Sequence, residues 1–285
     1  MQRAVSAVAT LCLMAGHAFA ADTSWVEKSN EHAQLVLGVF AELAPEGAGS
    51  MGVDGLDENI TDLSPGFQDR TNEAIAIVLA ELENRLADET DLKVRQDLGI
   101  LIQSAKDTLH TNALEDEHML PYMNVSQAIF GGLRALIDPQ VSRDRYPAAI
   151  VRMEKYAGLA DGYEPITELA KQMSMERFGD ENLVGPYRGE VEQDLERAET
   201  FVTGIEELMA GTDLQGWEET YETLAGQMRD YSDWVRAEIL PRSRDDYRLP
   251  AVMYQDALKN LGVDATPEQL IEQATKGYMD IRNEM

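Results

Sequence analysis

Apolar side chains recur every three or four residues along almost the whole chain, and nowhere do they alternate over a strand's length. That period matches one face of an α-helix, whereas a half-buried strand needs a period of two. The chain is therefore expected to be all-α: a multi-helix array of about nine or ten helices with no substantial sheet.

Local signals place the helix ends. Ser24-Trp25-Val26-Glu27 has the spacing of a capping box, in which cap hydroxyl and third-residue carboxylate satisfy each other's backbone N–H. Val36, Val39, Phe40 and Leu43 continue that helix as one stripe, and Pro45 stops it. A glycine- and acid-rich loop then covers 46–63. Ser64-Pro65 restarts a helix whose core face carries Ile75, Val78, Leu79, Leu82 and Leu86. Asp91 opens the next, striped by Leu98, Leu101, Ile102 and Leu109. Pro121, Gly131-Gly132, Pro139, Pro147 and Pro165 punctuate shorter helices over 125–137, 147–159 and 165–178. Longer ones span 187–210 and 217–240. A final pair runs over 250–261 and from Pro267 onward, the last opened by a capping box at Thr266-Pro267-Glu268-Gln269. No repeat of fixed period is present, and the length allows one domain or two.

The first twenty residues read differently. Arg3, an uncharged apolar run over 4–15, and Ala18-Phe19-Ala20 make a secretory signal peptide, expected to be cleaved after Ala20. The run is too short to span a bilayer, which takes about 20 apolar residues. The mature helical domain is expected to cover 21–285, to be periplasmic or secreted, and to leave the membrane after cleavage. The single cysteine, Cys12, lies within the signal, so disulfides and thiol chemistry are excluded from the mature chain. With 52 acidic and 24 basic residues the net charge is −28. Such a surface repels nucleic acid and favours cationic partners, although solvated secreted surfaces carry similar charge.

Few motifs offer chemistry. No Ser/His/Asp grouping, phosphate loop, dinucleotide fingerprint or HExxH is present, so no catalytic residue and no metal ligand is assigned to this chain. His110 and His118 flank Glu115-Asp116-Glu117, but eight helical residues separate them by about 12 Å, too far for one ion. Only a chain folding back on itself would bring them together; otherwise they are exposed polar residues at a helix end. His32 stands alone. Asp54, Asp57, Glu58 and Asp62 occupy the glycine-rich loop without the EF-hand spacing of calcium ligands. Asn59-Ile60-Thr61 and Asn124-Val125-Ser126 match the glycosylation acceptor, a short pattern frequent by chance. Trp217, Tyr221, Met228, Tyr231 and Trp234 form an aromatic-rich helical stripe, which reads as core or as a ligand groove.

The most distinctive segment is 240–263, LPRSRDDYRLPAVMYQDALKNLGV. Arg242, Arg244 and Arg248 gather positive charge in an acidic chain, interleaved with Asp245, Asp246 and Tyr247. Guanidinium groups beside a tyrosine suit a carboxylate such as a peptide terminus; helix capping and internal ion pairs are the competing reading.

This segment resembles the bacterial family known as domain of unknown function 885. The residues that carry the resemblance are Arg244-Asp245-Asp246-Tyr247-Arg248-Leu249-Pro250, Tyr254, and Gly262-Val263-Asp264-Ala265-Thr266-Pro267-Glu268-Gln269-Leu270. Pro45 to Gly55 is similar to an early family pattern. The resemblance implies an exported, helical, metallopeptidase-like protein whose later half carries an HExxH-type helix, with two histidines for zinc and a glutamate as general base. It further implies that this chain supplies the N-terminal half and lines a peptide-substrate cleft, with Arg244, Tyr247, Arg248 and Tyr254 as wall residues. Zinc is then expected only with the missing C-terminal half, and a second subunit is the other partner considered. The alternatives are an autonomous acidic periplasmic binding or scaffold protein, and a metal-binding protein built on His110 and His118.

Overall fold

A computed structural model describes residues 23–285. The expected signal peptide and cleavage site lie outside the described residues. Eleven α-helices and no strand occur among the described residues: α1 (Ser24–Leu43), α2 (Pro45–Ser50), α3 (Phe67–Asp88), α4 (Leu92–His118), α5 (Val125–Ile137), α6 (Ala148–Tyr156), α7 (Ile166–Met175), α8 (Arg188–Ala210), α9 (Glu218–Trp234), α10 (Ala251–Asn260) and α11 (Pro267–Glu284). The all-α expectation holds, and helix boundaries from α5 onward fall close to those the periodicity implies.

Two apolar clusters organise the array. The smaller is Leu82, Val94, Leu98 and Ile102, formed where α3 and α4 lie along each other and α1 crosses both. The larger joins α5 through α9 around Ile129, Leu133, Met153, Ile205, Leu224 and Met228. Each such side chain contributes about 1.5–3 kcal/mol by leaving water. Trp217, Tyr221 and Tyr231 are buried in this cluster, so the aromatic stripe is core. Trp234, half-buried at its edge, lies stacked against Phe178. Beyond the bundle, α10 rests on α4, and α11 has no buried residue and little contact with the rest.

Several local expectations fail for identifiable reasons. Ser24 is already helical, with Thr23 at the cap and no side-chain cap bond, so the first capping box does not form. Val36 and Phe40 are exposed, while His32 is buried on the inner face of α1 and pairs through Nδ1 with Arg85 Nη1 at 3.1 Å. Pro45 opens α2 at its first turn as well as ending α1, so part of the supposed loop is helical. Ser64 does not cap α3, because Arg70 engages its hydroxyl and carbonyl; Gly66 takes the cap position. The Gly131-Gly132 pair lies within α5, whose span is the expected 125–137. A Cβ at Gly132 would collide with the hydroxyl of Tyr156, so glycine permits that helix contact. Asp91 and Thr266 do cap as their sequences imply, and the box at Thr266 is complete.

The acidic loop is held by structure-forming bonds. Glu46 accepts from the Thr61 amide (3.0 Å), the Thr61 hydroxyl (2.8 Å) and the Tyr156 hydroxyl (2.9 Å). Buried Arg152 donates to the carbonyls of Gly132 and Leu56. Asp57 is paired with Arg145 and Asp62 with Arg70, so these two are internal ion-pair partners. Asn124 caps α5, accepting from the Gln127 amide.

Candidate functional site

The segment after α9 is shaped by a change of helical pitch. Val235–Ile239 winds as a π-helix and Leu240–Arg242 as a 3-10 turn. Such a widened turn shifts the register of the residues after it, and π segments are frequent at functional sites. Arg242 is fastened by donating to the Glu238 carbonyl and carboxylate, with its guanidinium 4.1 Å from the centre of the Phe178 ring.

Beyond Arg242 the chain is extended and pairs with residues before α8. The Arg244 amide donates to Pro186 O (3.0 Å), and Arg188 N donates to Arg244 O (2.8 Å). Arg244 Nη1 donates to Gly185 O at 2.6 Å, while its Nε is buried without a hydrogen-bond partner. Gly185 is required here because a Cβ would drive into the Arg242 carbonyl. On its other side the same strap pairs with the end of α4: Leu120 N donates to Val184 O (2.9 Å) and Val184 N to His118 O (2.8 Å). Residues 184–188 thus tie the C-terminal end of α4 to the Arg244 turn.

These elements enclose a cleft of about 620 Å³. Leu63, Phe67, Leu120, Tyr122 and Pro186 supply apolar floor, and Leu249 and Met253 a further wall. Asp69, Glu115, Asp116, Glu176 and Glu190 bring carboxylates, against the two cations Arg177 and Arg244. Arg177 is paired with Asp116 and also bonds its carbonyl. The Tyr122 hydroxyl donates to Asp194 at 3.0 Å; burial first, then the Asp194 charge, push this phenol far above its usual range, so it keeps its proton.

The four residues singled out from sequence separate here. Arg244 lines the cleft. Tyr247 is 69% exposed and packs edge-on against Tyr187, whose ring lines the cleft, so it stands one residue back at the rim. Arg248 is exposed and paired with Asp246, and Tyr254 is exposed on α10 outside the cleft lining. The internal-pair reading therefore describes Arg248, and also Asp245, which is bound by Arg188 at 2.6 Å. Sequence reasoning missed Tyr187, Arg177, Glu190 and Tyr122. Only the Gly185-Pro186 break before α8 hinted that backbone approaches closely there.

The histidines do not converge. His110 and His118 lie on the continuous helix α4, and His110 Nε2 is 3.6 Å from Asp256 on α10. Asp256 is buried and also accepts from Thr111 and Asn260. A second cavity of about 560 Å³ lies beside these residues, lined by α4 and Asn260. No group of three His, Cys, Asp or Glu among the described residues is arranged to hold a metal ion. The described residues therefore do not fit zinc.

A family model described as "Bacterial protein of unknown function (DUF885)" matches residues 45–285. No curated protein and no solved structure matches the chain. The matched span begins with the Glu46 staple and includes every residue that lines the cleft.

Proposed function

Because the chain belongs to the DUF885 family, we propose that it is the exported, non-catalytic portion of a zinc-metallopeptidase-like protein and lines a cleft for peptide substrate. One observation carries this reading: the motif that carries the family likeness most specifically, within 240–270, reaches the cleft through Arg244 and Leu249, with Met253 beside them. Apolar floor with a few polar groups suits a peptide, whose backbone and side chains need both. Arg244 lines the cleft with its Nη1 bonded to Gly185, and a guanidinium matches a carboxylate or carbonyl of a bound peptide.

Exposed apolar residues near the C-terminal end support a larger assembly: Val252 on α10, Leu261 just after it, and Ile271, Tyr278 and Ile281 on α11. The reading assigns them to contact with the portion that bears the zinc-binding helix. This chain's part is to bind and orient.

The test is a titration of a labelled apolar peptide into the purified protein, followed by incubation with added zinc and mass analysis. Binding without cleavage is expected. Absence of binding, or turnover at enzymatic speed by this chain alone, overturns the proposal.

A further inference from the structure

From Asp245 to Met285 a single residue, Asp256, is buried. A helix docked through an apolar stripe sets several buried side chains against its neighbour. Helix α10 instead meets α4 with a carboxylate. Asp256 Oδ2 accepts from the Thr111 hydroxyl at 2.6 Å and from Asn260 Nδ2 at 3.2 Å. His110 Nε2 stands 3.6 Å from Oδ1, and Lys259 Nζ lies 3.7 Å from Asp107. Asp107, His110 and Thr111 share one turn of α4, and Asp256, Lys259 and Asn260 one turn of α10, so the polar ties gather at one point. On the other side of α10 the chain is irregular over 245–250, and among the described residues no backbone hydrogen bond joins 245–249 to the body. The side-chain ties of this link, Asp245 to Arg188 and the Tyr247 ring against Tyr187, sit at its start beside the Arg244 turn. Leu249 and Met253, which flank the start of α10, supply the cleft wall that the segment carries.

We propose that α10 is a hinged flap of the cleft, with 245–250 as the hinge and Asp256 on Thr111 as the latch. Releasing the latch swings Leu249 and Met253 away from the floor at Leu120 and Tyr122. Segments with little buried apolar surface open at lower cost than the core around them, and this one gives up one polar contact point while the cluster of α5 to α9 stays packed. The flap gates the cleft whatever ligand enters it, so it stands apart from the peptide reading.

Hydrogen exchange of the full chain, read segment by segment by mass spectrometry, measures the opening without any ligand. Amides of α10 are expected to exchange about 100-fold faster than those of α5 and α9. Thr111→Val removes the latch donor from the α4 side and leaves the sequence of α10 intact. It is expected to speed exchange in α10 about tenfold, the scale of one hydrogen bond to a charged group, with α5 and the urea midpoint unchanged. Asp256→Ala is expected to do the same from the other side. Movement of the wall itself is read from the alkylation rate of a thiol placed by Met253→Cys, with Cys12→Ser removing the other cysteine. Thr111→Val is expected to raise that rate by the same factor as the amide exchange. The proposal is overturned by α10 amides as protected as those of α5, by faster exchange that α5 shares equally, or by a thiol rate that does not respond to Thr111→Val.

Discussion

Arg244 lies parallel to Tyr187, joined to its two neighbours by a pair of backbone hydrogen bonds of 3.0 and 2.8 Å. The pairing links segments far apart along the chain. Because the adjoining residues 184 and 118–120 form a second such pairing, one strap fixes the Arg244 turn relative to the end of α4. The width of the cleft is therefore a property of this strap, and changes to it reach the site without touching a ligand.

Gly185→Ala is the most direct way to disturb the strap. The new methyl would meet the Arg242 carbonyl carbon at 2.8 Å, and backbone on both sides leaves no side chain to give way. Overpacking of this kind costs about 1–3 kcal/mol. Urea denaturation is expected to show that loss, with weaker peptide binding in the surviving folded protein.

Arg244→Ala separates recognition from stability. It removes one bond to Gly185 and with it about 1 kcal/mol. Peptides with a free C-terminal carboxylate are expected to lose about tenfold in affinity, the scale of one charge-assisted hydrogen bond, while amidated peptides change little. Equal losses for both, measured by anisotropy, would assign Arg244 to architecture alone.

Glu46→Ala removes the acceptor shared by Thr61 and Tyr156. The Tyr156 phenol is fully buried, and burial followed by the Glu46 charge pushes its ionisation far upward, so it stays a donor in need of an acceptor. A destabilisation of about 3 kcal/mol is expected from these stranded donors, with Glu46→Gln costing less. Thermal or chemical unfolding reads both.

Acid weakens the loop through Asp57. Its hydrogen bond to Arg145, reinforced by the guanidinium charge, holds the carboxyl below the usual aspartate range. A carboxyl lowered on folding contributes stability above its unfolded value, and that contribution fades as pH falls through the folded one. Asp57→Asn is expected to be less stable than the parent at pH 7 by about 1 kcal/mol, since the pair is partly solvated. The difference closes below about pH 4. Parallel denaturation curves across pH check the sign.

Much of the fold was legible because helix signals are local. Asp91 and Thr266 cap as their spacing implies, and α5 spans the residues its periodicity marked. Where a remote partner intervened, local reading failed. Ser64 looked like a cap until Arg70 claimed its hydroxyl, and the 46–63 loop looked free until Glu46 reached Thr61 and Tyr156. The Arg244 turn was visible as a concentration of charge, but not which of its residues would face a cavity. Arg248 and Tyr254 share its sequence character and point elsewhere.

From residues alone came the helices and the caps at Asp91 and Thr266, because backbone bonds four residues apart and the period of the apolar stripe depend only on neighbours. The cleft came from tertiary structure. Its arginine is anchored to a carbonyl 59 residues away, and its carboxylates arrive from separate helix ends. No local pattern encodes that convergence; packing between α3, α4, α7, α8 and the Arg244 turn decides it.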